Sequence, residues 1–499
     1  MSIMGIDVGT TGCKVVAFSA GGTVLARAYA EYPLLTSQEG WAELDPNEVW
    51  SNLCDTIRQV NAQVGGDPVE ALAVSAQGEA VIAVAENGEV LDRSPVSFDV
   101  RARAQAARLR DEMGEEQVYH LSGQPIHPMY SLLKIVWWQQ QRPEVFARTW
   151  RFLCYGDFVA FKLGVTPTID YTMAARMLAF NIRTYEWSPE LLAWAGLSAD
   201  RLPALAPSGT PIGEISIPIA QELGFQRPVT VVTGGHDQPC GALGAGVLET
   251  GEAMYAIGTT ECIAPIFATP KATLWGDRFP CYPHVLADRY ITLAGNFTGG
   301  ALLRWYRDQL GAAERAVAAE TGQDVYDVMI AQVSERPSHL FVLPHFAGTG
   351  SPFHDPDAKG AIFGLTFDTR REDIVKALLE GITFELALNL QHLRRAGIEI
   401  DLLRAIGGGA RSTTWMQMKA DIMGIPVIVP QVADATCLGA ALLAGLGKGI
   451  YTSADEAVGA TVREAKRYVP DEHRAAFYAE RLRVYEQLYP AVSAISPYM

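Results

Sequence analysis

This chain has little basic charge, few cysteines and no long apolar run, and each shortage argues against a class of function. Lys and Arg total 40 against 56 Asp and Glu, for a formal charge of −16. Nucleic acid or an anionic membrane surface would need a Lys/Arg-rich face, so neither partner is expected. The seven cysteines, at 13, 54, 154, 240, 262, 281 and 437, are odd in number and scattered. No C-x-x-C or Cys/His ligand spacing occurs among them, which argues against a structural zinc site. Reduced thiols in a cytosolic protein fit this pattern, so a cytoplasmic location is expected. No apolar stretch approaches the length of a membrane span. The first residues read as a strand, without the basic and apolar regions of a signal peptide.

What is present is an ordinary globular composition, 49% hydrophobic and 19% charged, over 499 residues. That length exceeds one ordinary core and predicts two or three domains. The local patterns divide into two similar halves. "IMGIDV" and "CKVVAF" are strand-like around the turn "GTTG", and "TVLARAYAEY" alternates as a third strand. "DPNEVWSNLCDTIRQVNAQV" has Asp45 as a cap, Pro46 in the first turn, and Val49, Leu53, Ile57 and Val60 at helical spacing. Later, "EAMYAIGTTECIAPIF" repeats strand, turn, strand. "RYITLAGNF" reads as one strand, "LLRAIGGGAR" as a strand ending in glycines, and "IPVIVP" as the last strand. The stretch from 100 to 225 reads mostly as helices and loops, an insertion on the first half. The boundary is placed by "GAGVLETGEA", giving domains 1–248 and 249–499.

The duplicated Gly-Thr-Thr turn carries the chemistry. Gly allows close backbone approach, and the amides and hydroxyls converge on one point, which suits phosphate oxygens. Asp7, ending the first strand, suits the Mg²⁺ that accompanies ATP. The P-loop is excluded, because "GTTGCKVV" has the wrong spacing and continues as a strand. The dinucleotide fingerprint G-x-G-x-x-G is absent from both turns. One such turn alone is most simply a hairpin; two, each opening an α/β half, favour phosphate. The three glycines at 407–409 stand where a strand meets a helix, and there a ring or ribose can lie on bare backbone.

Together these segments resemble the FGGY family of carbohydrate kinases, within the superfamily of sugar kinases, actin and heat-shock chaperone ATPases. The resemblance runs from Gly5 to about Tyr478. "GIDVGTTGCKVV" and "AIGTTECI" are similar to the two phosphate motifs, and "GGGARSTTWMQMKADIMGIPV" to the adenosine segment with "DATCLGAALLAG" after it. "MYSLLKIVWW" and "KGAIFGLTFDTRREDIVKALLEG" resemble the family signature regions. The resemblance implies two actin-like, ribonuclease H-like α/β ATPase domains around a central cleft, with ATP and Mg²⁺ as cofactors.

It also implies residue roles. "VTGGHDQPCGALGAG" puts Asp237 in the place of the general base, where a carboxylate would accept a proton from the sugar hydroxyl. Read without the family, Asp237 is a helix N-cap. Gln77, Glu79, Asp99 and Gln238 are implied sugar contacts, with Arg101 supporting Asp99. Thr10, Thr11, Gly258, Thr259 and Thr260 would line the phosphates, Lys14 would reach one, and Gly408, Gly409 and Ala410 would face adenosine. Asp7 would be the metal residue; the second turn has Ala256 at the matching place. Glu79 suits a neutral acceptor, since it would repel a sugar acid. Gly78 would leave room for something larger than glycerol.

The expected function is therefore ATP-dependent phosphorylation of a ketopentose or ketohexose, as in xylulokinase-like members, by a soluble enzyme that takes a small sugar and is compatible with a homodimer. The alternatives are a polyol kinase and, from other classes, an actin-like or chaperone-type ATPase or a non-catalytic sugar sensor.

Overall fold

The computed structural model describes residues 1–432 and 434–495. Two sheets organise it, and their wiring repeats. β1 (Ser2–Val8) turns into antiparallel β2 (Gly12–Ser19), which pairs with β3 (Val24–Glu31). α1 (Pro46–Val64) leads to β4 (Val69–Ala76), parallel to β1. β5 (Pro211–Glu214) forms an antiparallel edge on β6 (Thr230–His236), which runs parallel to β4. The resulting order is β5-β6-β4-β1-β2-β3. α1 forms for the expected reasons: Asp45 accepts from the Asn47 amide at 2.9 Å, and Val49, Leu53, Ile57 and Val60 are all buried.

α2 (Asp237–Gly244) starts where β6 stops. The second hairpin follows as β7 (Gly251–Ile257) and β8 (Glu261–Phe267). α3 (Gly300–Gln309) and α4 (Arg371–Arg395) precede β9 (Ile400–Ile406), which lies parallel to β7. α5 (Thr413–Met423) then leads to β10 (Val427–Pro430), parallel to β9. α6 (Ala435–Lys448) follows, and β11 (Glu464–Tyr468) closes the edge antiparallel to β10. Each half thus has a hairpin, two further parallel strands and an antiparallel edge strand.

Three features depart from the sequence expectations. "IPVIVP" is not the last strand, since charged, exposed β11 pairs beyond it; its polar pattern hides an edge strand. "RYITLAGNF" is two short strands, Tyr290–Ile291 and Ala294–Asn296, both on β8. The break falls opposite Pro265, which has no N–H to give the ladder. α6 belongs to the second half of the sequence but packs under the first sheet, against β1, β4 and β6, and crosses α2. The stretch 100–225 is mainly short helices and loops, with strands of two to four residues. Among the described residues no helix is long and apolar enough to cross a membrane.

Small residues make the α2–α6 crossing. A Cβ on Gly439 would stand 1.9 Å from the Cys240 carbonyl oxygen, and one on Gly244 1.8 Å from that of Ala435. A Cβ on Gly5 of β1 would meet the Cys437 oxygen at 1.8 Å. Backbone therefore touches backbone, and nothing nearby can yield. Gly439→Ala is expected to cost about 1–3 kcal/mol or more in urea unfolding. Gly459→Ala, in the exposed helix Ala454–Thr461 with no atom near its Cβ, should be neutral or stabilising by roughly 0.5–1 kcal/mol.

Candidate active site

The carboxyl ends of β1, β4, β6, β7 and β9 carry most of the expected site residues, and in open α/β sheets ligands bind beyond these ends. Gly9, Thr10 and Thr11 form the turn after β1. Gly9 donates to the Gly12 carbonyl at 3.0 Å, while its own carbonyl accepts from the Tyr32 hydroxyl at 2.6 Å and Gln77 Nε2 at 3.2 Å. Thr10 Oγ1 donates to Gln77 Oε1 at 2.8 Å. Gln77, expected on the sugar, is thus tied to this turn, and Thr11 is exposed. Lys14, directly across the hairpin from Asp7, holds Asp434 Oδ1 at 2.7 Å with its ammonium, at the start of α6.

Gly258, Thr259 and Thr260 form the exposed turn between β7 and β8. The start of α3 occupies the back of this turn: Gly299 and Ala301 donate to the Thr259 carbonyl at 2.9 and 3.1 Å, and Gly300 to that of Gly258 at 2.8 Å. The glycines at 407–409 pack on the same hairpin. Gly407 has φ +93°, and a Cβ on it would lie 2.4 Å from the Ile257 oxygen; one on Gly409 would lie 2.3 Å from Ile257 Cγ2. Gly408 has open space where a side chain would be. Between this turn, Gly408, Gly409 and α3 opens a cavity of about 570 Å³, also lined by Tyr326, Arg411 and Trp415. Ala410 is buried rather than facing it. Beneath, Lys419 of α5 donates to Glu261 Oε2 at 2.8 Å and Oε1 at 3.0 Å, with Tyr255 bonded to the same carboxylate. This fully buried group locks the second turn to the helix after the glycines.

Beyond β4 the chain turns sharply at Glu79, a non-glycine residue with φ +63°. Its carbonyl is held by Ser131 Oγ at 2.9 Å and by buried Lys134 Nζ at 3.1 Å, which stabilises this strained backbone. Its carboxylate is paired with Arg176 and accepts from Ser97 at 2.6 Å. Although burial opposes ionisation, the Arg176 guanidinium brings the Glu79 carboxyl below its usual range. Gly78 does not leave a void for substrate: a Cβ there would lie 2.9 Å from His236 Nε2 and 3.2 Å from Arg176 Cγ, so those side chains fill the space. Asp99 is fully buried, with Arg101 gripping both oxygens and the Ala42 amide donating at 2.8 Å. Arg101 in turn covers the Trp41 ring at 3.7 Å and bonds Glu43 at 2.8 Å. Asp99 therefore braces a loop instead of facing the cleft.

Asp237 is the first residue of α2, with His236 at the capping position. Its Oδ1 is buried 3.1 Å from His236 Nε2, while about a third of the side chain is exposed. Burial, with the charges of Asp7 and Glu79, pushes its carboxyl up to about 7. Burial likewise pushes Asp7 to about 6, although the nearby Ser75 hydroxyl and the Lys14 charge oppose it. Asp7 Oδ1 is buried without a protein partner. An orphaned carboxylate oxygen beside a second raised carboxylate fits a cation, which would relieve both. Among the described residues no group of three or more His, Cys, Asp or Glu could hold a metal by itself. Next to Asp237, Gln238 Oε1 is buried with no protein partner.

The sequence reading missed Arg176, Lys134, His236, Tyr282, Trp415 and the Glu261–Lys419 pair. Lys134 and Lys419 had a signal, each being a lone cation in an apolar helical stretch, "SLLKIVWW" and "WMQMKADIM". Arg176 had none, since it meets Glu79 from 97 positions away.

Two α/β halves of one plan, a Gly-Thr-Thr turn from each and half-buried carboxylates at the strand ends define an actin-like phosphotransferase. Residues 2–244 match the N-terminal domain of the FGGY family of carbohydrate kinases, and residues 253–447 match its C-terminal domain. The chain belongs to that family, whose enzymes phosphorylate a sugar or polyol with ATP. It is 31% identical to a gluconokinase of Bacillus subtilis, over 97% of this chain and 95% of that one. It is also 31% identical to a glycerol kinase of Polaromonas naphthalenivorans, over 91% and 92%. The crystal structure of ligand-bound xylulose kinase from Lactobacillus acidophilus superposes with a TM-score of 0.89 at 25% identity, covering 99% of this chain and 98% of that one.

The Asp237 shift has a thermodynamic consequence. With its folded value raised to about 7, ionising Asp237 opposes folding; the penalty is absent below the unfolded pKa near 4, grows as pH rises, and is complete above about 7. Asp237→Asn should therefore raise the thermal midpoint at pH 8 by roughly 1–3 °C, a gain that shrinks as the scan is repeated towards pH 5.

Proposed function

We propose that the protein transfers the γ-phosphoryl group of ATP to a hydroxyl of a neutral sugar, a ketopentose or ketohexose, with Asp237 as general base. The observation that carries this reading is the setting of Asp237: a carboxylate raised to about 7, beside Asp7, at the start of a helix on the cleft side of the sheet. Such a group is basic enough to accept a hydroxyl proton as the oxygen attacks phosphorus.

Thr10 and Thr11 from one half, and Gly258, Thr259 and Thr260 from the other, grip the phosphates, while Gly408 and Gly409 give adenosine a bare surface. Asp7 would hold the Mg²⁺ that accompanies ATP, which supplies countercharge to the phosphates. Gln238, with its unpartnered Oε1, accepts from an acceptor hydroxyl. Gln77 orients the first turn, Lys14 anchors it through Asp434, and Glu79, Asp99 and Ala410 support the walls. Closure of the cleft excludes water as a competing acceptor.

A neutral acceptor is favoured because Arg176 is consumed by Glu79 and by Gln124 Oε1 at 2.9 Å. That guanidinium is therefore already occupied, while Asp7 and Asp237 would repel a carboxylate. Gluconate, the acceptor named for the Bacillus subtilis relative, would require Arg176 to leave Glu79; polyols are the neutral alternative.

ATP consumption should be screened over pentuloses, hexuloses, tetritols, pentitols, glycerol and gluconate. The highest kcat/KM is expected with a neutral ketose; a preference for gluconate would overturn the neutral reading, and a preference for a polyol would replace the ketose. Asp237→Asn should lower kcat by about 10²–10⁴-fold while ATP still binds.

A further inference from the structure

His236 immediately precedes Asp237, and its ring is buried. Its backbone amide donates to Thr172 Oγ1 at 2.7 Å. Its Nδ1 shares a hydrogen bond with the Tyr282 hydroxyl at 3.1 Å, and its Nε2 lies 3.1 Å from Asp237 Oδ1, within reach but not aligned as a hydrogen bond, so that Oδ1 has no hydrogen-bond partner here. Gly78, without a side chain, lets the ring approach the elbow after β4. Burial and the Arg176 charge push the imidazole down to about 3, so it stays neutral with one N–H.

In the form that acts as base Asp237 is ionised; an ionised carboxylate accepts and cannot donate, so in that form the N–H that serves Asp237 is on Nε2. Nδ1 then carries a lone pair and must accept from the Tyr282 O–H. Tyr282 comes from the second half of the chain, in the short strand Tyr282–Pro283 beside Tyr290–Ile291. The Cys281 amide donates to the Gly123 carbonyl at 2.7 Å, which anchors this strand in the helical region of the first half.

We propose that His236 and Tyr282 are positioning residues for the catalytic base: the Tyr282 hydroxyl sets the imidazole, and when substrate binds Nε2–H turns onto Asp237 Oδ1, 3.1 Å away, and holds it so that Oδ2 is presented to the acceptor hydroxyl. The proposal rests on the reading of Asp237 as the base. It makes the carboxylate's orientation depend on a residue from the other half of the chain. Because Asp237 Oδ1 is the buried oxygen and the side chain is partly exposed, Oδ2 is the oxygen that can reach a substrate. Contacts of this kind tighten once substrate is bound.

The test uses the full-length enzyme with ATP and its best acceptor from the screen. Tyr282→Phe, which removes one hydroxyl, should lower kcat about 3–10-fold, and His236→Ala about 10–100-fold, with KM for ATP and acceptor within about twofold of wild type. His236→Gln, whose amide N–H can reach the same carboxylate, should recover much of the loss. Added to Asp237→Asn, neither change should lower the rate much further. The proposal is overturned if Tyr282→Phe leaves kcat unchanged while Asp237→Asn abolishes turnover, or if His236→Gln is no better than His236→Ala. If Asp237→Asn itself keeps full turnover, the base assignment fails instead, so the two failures are distinct. Since Tyr282→Phe deletes a single atom from a packed ring, it remains informative even where His236→Ala does not fold.

Discussion

Everything in this molecule hangs on a contact with no side chains in it. α2 and α6 cross with the Cys240 and Ala435 carbonyls against Gly439 and Gly244, and α6 lies on β1 through Gly5. A backbone-to-backbone crossing has no rotamers to adjust, so it fixes geometry more tightly than a side-chain interface would. α2 begins with Asp237, and Asp434 just before α6 holds Lys14 of β2. One crossing therefore aligns the first Gly-Thr-Thr hairpin, the carboxylate at the start of α2 and the chain arriving from the second half. The packing of α6 on the first sheet also fastens the second half of the sequence to the first.

The electrostatics around this crossing divide three carboxylates, Glu79 buried and Asp7 and Asp237 half-buried, by their neighbours. Burial pushes all three up, but Glu79 has a guanidinium against it and ends below its usual range, whereas Asp7 and Asp237 are raised to about 6 and 7. The charge that stays paired supports the elbow after β4, and the charges that lack a full partner point towards the place where phosphate and its cation are proposed to lie. Holding such groups opposes folding, a common feature of sites shaped for chemistry over stability. The buried Glu261–Lys419 pair differs in kind: it is satisfied within the protein and joins the second turn to α5.

The repeat of strand, turn and strand, the cap on α1 and the helix after the triple glycine were all legible in the sequence, because each depends on neighbours within a few residues. The edge strand β11 was not, since charged and exposed residues disguise it, nor was the split opposite Pro265, which depends on what lies across the ladder. Gly78 shows the limit well. Its smallness was visible, but read as room for substrate; the structure fills that room with His236 and Arg176.

What the sequence determined alone is therefore the set of local devices and the family they define: two Gly-Thr-Thr turns, one with Asp7 behind it, a glycine run opening α5 and an aspartate opening α2. Only the tertiary structure decided which polar groups are spent on each other. Asp99 goes to Arg101, Glu79 to Arg176 and Lys14 to Asp434, while Asp7 Oδ1 and Gln238 Oε1 are left without a protein partner. The physical reason is that a hydrogen bond or ion pair is a property of two positions in space. For Glu79 and Lys14 the partners lie 97 and 420 residues away, beyond anything that periodicity or spacing along the chain records.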